Sequence, residues 1–151
     1  MSVLSWGKPK IEHATSTKGA PADVWTEIDT PKLDSTKLTP TAGDTVEAKE
    51  EGGEIVDSRT GKTTYQFEWY NFVKKGGKAP FEDVDGVIAG EHALRLTPED
   101  EECEGIQIDR CTISVQEEYS TADGKTLHYI AKCLKPAAGK AVKPYTKTKG
   151  S

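Results

Sequence analysis

The chain has 151 residues, a formal net charge of −5 and an isoelectric point near 5.3, which fits one domain with tails and gives no global basic footprint for nucleic acid. Leu, Ile, Val and Phe supply 27 residues, about 18% of the chain, a content that borders on disorder only when net charge is high; with eleven aromatic residues, a small-cored folded domain is the expectation. No window approaches the roughly 18–20 apolar residues of a membrane helix, the first residues lack the basic and apolar regions of a secretion signal, and the only Asn, Asn71, is not in a glycosylation sequon.

Residues 1–22 are rich in Gly, Pro, Ser, Thr and Lys, with Leu4, Trp6 and Ile11 as isolated apolar anchors, and are expected to form an N-terminal arm. Val24–Ile28 reads as a short strand between Pro21 and Pro31. From Val46 to Val73 two extended runs flank Ser58-Arg59-Thr60-Gly61-Lys62. The second, Tyr65-Gln66-Phe67-Glu68-Trp69, alternates apolar and polar residues as a half-buried strand does. A three-residue turn ending in Gly61 would pair the runs as a hairpin, with Ile55 opposite Tyr65, and Gly52-Gly53 suggests a bulge or a close backbone approach.

Pro80 to Ala89 is the one helix candidate: Pro in the first turn, early acids, and Phe81, Val84, Val87 and Ile88 along one side. Gly86 weakens it. His92–Leu96 is a further strand, and Pro98–Glu104 an acidic loop. A second hairpin runs from Ile106 to Leu134 around Thr121–Lys125. Collecting its apolar residues on one face favours a three-residue loop ending in Gly124, with Tyr119 opposite Leu127 and Cys111 diagonal to Cys133. The parity of apolar residues switches between Ile108 and Cys111, which predicts a bulge near Asp109-Arg110. The expected fold is mostly β: an antiparallel β-sandwich or barrel with one short flanking helix and extended arms, divided as 1–22, 23–136 and 137–151.

Local chemistry is sparse. Gly61-Lys62-Thr63 and Gly124-Lys125-Thr126 resemble P-loop fragments, but the required earlier glycine is Val56 or Tyr119, and both tripeptides fall in turns. His13, His92 and His128 have no metal-binding spacing, and no Cys lies at a helix start, where its pKa would fall. Cys111 and Cys133 read as buried structural thiols. No catalytic residue, cofactor or metal is expected. Charge segregation is more informative: residues 82–104 carry nine acids and one base, and 132–151 carry six Lys and no acid. A basic arm of one copy meeting an acidic surface of the next would be a heterologous contact, which builds rings or filaments.

The order of parts resembles that of the tail tube (major tail) proteins of long-tailed bacteriophages and prophages. The likeness covers roughly residues 24–136. It rests on Thr36-Lys37-Leu38-Thr39-Pro40-Thr41-Ala42-Gly43-Asp44, on the Glu/Gly-rich Glu47–Glu54 running into a hairpin, on one helix, on Ala93-Leu94-Arg95-Leu96-Thr97-Pro98, and on a closing hairpin between two arms. The resemblance implies a virion structural protein, made in the bacterial cytoplasm and assembled with other tail proteins. It implies hexameric rings stacked into a hollow tube through which DNA passes without specific binding, and no membrane. It also implies that the first hairpin loop and the arms bridge subunits. By position the bridging residues are Glu50, Glu51, Glu54, Asp57, Arg59 and Lys62, with Lys135, Lys140, Lys143 and Tyr145 on the C-terminal side. Two other readings follow from the residues: a β-sandwich module binding a glycan or peptide through Trp6, Trp25, Trp69 and Tyr70, and a small thiol enzyme or hydrolase.

Overall fold

The computed structural model describes residues 4, 6–77 and 79–146. Among these residues the regular structure is entirely β. The strands are β1 (Lys10–Thr17), β2 (Ala20–Pro21), β3 (Thr26–Glu27), β4 (Lys37–Thr41), β5 (Thr45–Lys49), β6 (Ile55–Thr60), β7 (Thr64–Phe72), β8 (Asp83–Val84), β9 (Val87–Ile88), β10 (His92–Thr97), β11 (Gly105–Ser120), β12 (Gly124–Cys133) and β13 (Lys143–Tyr145). Eleven of them form one antiparallel sheet with the path β2-β1-β10-β11-β12-β7-β4, while β3 pairs with β1 and both β9 and β13 pair with β11. The sheet curls into a half-barrel.

The core lies on one face of this curl. Ile11, Leu94, Ile108, Cys111, Ile113, Val115, Tyr129, Ala131, Phe67 and Trp69 project into it from the strands. Trp69 is 0% exposed, as its alternation with Phe67 predicts, and it stacks on Tyr129 at 5.2 Å. The indole Nε1–H has no access to water and donates to Asn71 Oδ1 at 2.8 Å, while Asn71 Nδ2–H donates to the carbonyl of Asp29 at 2.9 Å. One buried amide thus satisfies the largest core side chain and ties the 29–30 segment to β7.

The predicted helix at 80–89 is absent. Asp85 and Gly86 have φ of +51° and +88°, the two positive values that a tight Asp-Gly hairpin turn requires, so β8 and β9 fold back on each other. Phe81 and Ile88 are still buried: the segment covers the core as the helix was expected to, with the opposite local geometry. The bulge predicted at Asp109-Arg110 is present. His92 faces Cys111 while Leu94 faces Ile108, so both bulge residues oppose Ala93 alone.

Three other expectations are corrected. Residues 10–17 of the expected N-terminal arm are strand β1, which pairs with β10 over Lys10–Thr15 and with β2 over Ser16–Thr17, and which buries Ile11 and Ala14. Residues 143–145 of the expected C-terminal arm pair with Gly105–Gln107. Residues 1–3, 5 and 147–151 of these arm assignments lie outside the described residues, as does Lys78. In the closing hairpin Ser120 faces Gly124 and Tyr119 faces Lys125, so Cys111 stands directly opposite Cys133 rather than diagonal to it. The expected and observed registers differ by two residues. A two-residue slip keeps every side chain on its face, so apolar patterning does not separate them.

Candidate assembly surface

The first predicted hairpin is paired differently. β6 does not turn back onto β7; it pairs only with β5, and the two form a separate two-stranded sheet. Gly52 and Gly53 form its turn instead of a bulge, with φ of +99° and +91°. The Glu50 N–H donates to the Glu54 carbonyl and the Gly53 N–H to the Glu50 carbonyl. The partner of β7 is β4 on one side and β12 on the other. β6 has no alternating apolar face to bury against that sheet, whereas Leu38 of β4 packs on the core.

Every residue from Asp44 to Thr64 is exposed. The hairpin includes Val46 at 66%, Ile55 at 55% and Val56 at 56% exposure. A free-standing two-stranded hairpin is marginal in water, and its exposed aliphatic residues make it a candidate contact surface. Its base is a backbone crossing. Gly61 N–H donates to Asp44 C=O at 2.7 Å, and a Cβ on Gly43 would fall 2.4 Å from the Gly61 carbonyl carbon and oxygen. Gly43 therefore serves this close approach, and Gly61, which has no positive φ, does not hold the left-handed turn position expected of it.

The structure places the predicted bridging residues in two groups. Glu50, Glu51 and Glu54 ring the hairpin tip, Asp57 and Arg59 lie on β6, and Lys62 follows its base, all exposed. On the C-terminal side, Lys135 and Lys140 are exposed, and the Lys135 carbonyl accepts from Arg110 Nη1 at 3.1 Å. Lys143 and Tyr145 dock on their own subunit. Lys143 Nζ pairs with Asp109, whose other oxygen accepts from Gln107. The Tyr145 ring covers the Arg95 guanidinium at 4.9 Å, and Trp25 covers it at 4.3 Å. Arg95 also pairs with Glu12 at 3.2 Å. This stack lies on the sheet face that carries Glu12 and Asp109, opposite the face of Ile11 and Leu94, and holds the end of the described chain against β10 and β11. Part of the basic C-terminal segment thus finds its acidic partner within the same copy.

The four aromatic residues considered for a binding platform do not gather. Trp69 is core, Trp25 lies on Arg95, and Tyr70 stacks on His128 at 4.1 Å on the outer face of β7 and β12. Trp6 lines a groove of about 640 Å³ with Pro9, Pro31, Leu33, Leu96 and Pro98. The Cys111 thiol is buried, and burial pushes its pKa well up, the reverse of what a nucleophile needs. Lys62 and Lys125 of the P-loop-like tripeptides lie after β6 and within β12, neither at a helix start. Among the described residues no group of three His, Cys, Asp or Glu side chains could hold a metal ion, and no helix is long and apolar enough to cross a membrane.

Sequence reasoning missed Val46, Ile55 and Val56 as surface residues, because their strands were assigned to the main sheet. It also missed the Arg95 stack, which joins residues far apart in the chain. No family model and no curated protein matches the sequence.

Proposed function

We propose that the chain is a structural subunit that assembles head to tail with its own copies, as the rings of a phage-type tail tube do. The single observation that carries this reading is the β5–β6 hairpin: fully exposed, bearing Val46, Ile55 and Val56, and paired with no other strand of the described chain. A surface of this kind is stable when a second body covers it, and a patch that meets a different patch on the next copy closes into rings or propagates as a tube. The acids at the hairpin tip set the charge of the face it presents. A lumen lined by acids would let DNA pass, since without basic contacts there is no counterion release to hold phosphate.

The test is negative-stain electron microscopy of the purified full chain across a concentration series, with sedimentation velocity in parallel. Rings or tubes that appear as concentration rises are the expected result. A species that stays monomeric at the highest concentration refutes the proposal. A glycan- or peptide-binding reading retains one feature, the Trp6 groove; the dispersal of Trp25, Trp69 and Tyr70 weighs against a broader platform.

A further inference from the structure

Cys111 and Cys133 are the two thiols that the fold brings together. They face each other across β11 and β12 at the last paired position of β12. The type of pair is set by its neighbour. Leu134 N–H donates to the Arg110 carbonyl at 2.9 Å, which makes Arg110 and Leu134 a hydrogen-bonded pair and Cys111–Cys133 a non-hydrogen-bonded one, because the two types alternate. At non-hydrogen-bonded positions the Cα atoms are about 4.5 Å apart and the side chains lean together. That spacing falls inside the range a disulfide spans, about 4.4–6.8 Å between Cα atoms. Both side chains emerge on the core face, where Cys111 is fully buried and Cys133 packs half-buried against it. In the structure they are thiols, with Cys111 Sγ 3.1 Å from the His92 carbonyl on the far side of β11.

We propose that Cys111 and Cys133 are a redox pair that closes into a cross-strand disulfide when the folded protein meets a disulfide oxidant such as oxidised glutathione. The half-exposed Cys133 reacts first. Its thiolate attacks one sulfur of the oxidant, forming a mixed disulfide and releasing one glutathione thiolate, which takes up the proton. Cys111 then rotates away from the His92 carbonyl, loses its proton and attacks Cys133 Sγ, expelling the second glutathione thiolate. Two protein thiols are oxidised and one glutathione disulfide is reduced to two thiols. The second step is intramolecular, so the burial of Cys111 does not block it. Burial raises the Cys133 pKa to about 11, so little of it is thiolate at neutral pH and the first step is slow. The bond would staple the centre of the sheet beside the Asp109-Arg110 bulge, and the inference is independent of the assembly proposed above.

The experiment incubates the full-length protein with oxidised glutathione, quenches with acid, and counts thiols in denaturant. The count falls from three to one, the intact mass drops by two hydrogens, and peptide mapping joins the Cys111 and Cys133 peptides. The rate rises about tenfold for each unit of pH from neutral to mildly alkaline conditions, and dithiothreitol restores three thiols. Cys103→Ser leaves the reaction intact, and Cys133→Ser abolishes it. A product that stops at a glutathione adduct, a disulfide that includes Cys103, a cross-link between chains, or three unreacted thiols would each overturn the proposal. Mapping of the unsubstituted protein decides the matter even where a variant fails to fold.

Discussion

Replacing residues 45–60 by Asn-Gly separates the hairpin's role in assembly from any role in folding. The geometry for the graft already exists: the Gly61 N–H to Asp44 C=O bond of 2.7 Å is the bond that closes a four-residue β-turn, with two residues between donor and acceptor. The deleted sixteen residues are all exposed, so no core burial is lost. Shortening the connection from sixteen residues to two lowers the loop-closure cost by at most about 1.8 kcal/mol, from the (3/2)RT ln n scaling, and less to the extent that the native hairpin is ordered. The variant is therefore expected to be as stable as the parent or up to about 1.8 kcal/mol more stable, in urea denaturation followed by the fluorescence of buried Trp69. Rings and tubes should disappear under the same conditions in which the parent forms them. A loss of more than about 2 kcal/mol would show that the hairpin belongs to the domain's own core, against the reasoning from exposure. Unchanged assembly would remove the hairpin from the interface.

Asn71→Ala leaves the Trp69 indole N–H and the Asp29 carbonyl without their partner in the interior; a destabilisation of about 2–4 kcal/mol is expected in chemical denaturation, and in a double-mutant cycle with Trp69→Phe the cost of Asn71→Ala should shrink by about 1 kcal/mol or more. Arg95→Ala removes a guanidinium held between Trp25 and Tyr145 and strands the largely buried Glu12 carboxylate. It should cost about 2 kcal/mol and, through loss of the Tyr145 contact, speed limited proteolysis after residue 136. His13 sits against Phe81, and burial, with His92 adding to it, holds its pKa below the ordinary 6.5. The unfolded chain then binds the proton more readily, so this contribution to stability is full above pH 6.5 and is lost as pH falls through the lower folded value. His13→Leu should flatten the denaturation midpoint against pH across that window; an unchanged slope assigns the acid sensitivity elsewhere.

The elements legible in the chain were those whose pattern and burial agree. β7 alternates Phe67 and Trp69 inward, and β10, β11 and β12 carry most of their apolar residues on one face, Ala93 and Ile130 being the exceptions. The bulge was readable because an inserted residue shifts the parity of everything after it. Other signals were local and ambiguous. Phe81, Val84, Val87 and Ile88 fit a helical stripe, but positive φ at Asp85 and Gly86 turns the same residues into a miniature hairpin. Lys10–Thr17 carries only Ile11 and Ala14 as buried apolar residues, too few to announce a strand, yet the open edge of β10 supplies its hydrogen bonds.

The candidate assembly surface was partly legible. Glu50, Glu51, Glu54, Asp57, Arg59 and Lys62 were singled out by their place in the resemblance, and they lie on or beside the exposed hairpin. What they are attached to was not readable, since strand pairing is decided by which edges are open and which faces need covering. β4 occupies the edge of β7 that β6 was expected to take, and β6 is left outside with Val46, Ile55 and Val56 in solvent. The sequence by itself determined a β-rich domain with a small core, the inward faces of its strongest strands and the place of its bulge, because alternation and parity are properties of neighbouring residues. Only the tertiary structure decided the strand partners, the register that sets Cys111 opposite Cys133, the docking of Tyr145 on Arg95 and the isolation of the hairpin. Each of these depends on contacts between residues distant in the chain, where competing pairings satisfy the same local pattern.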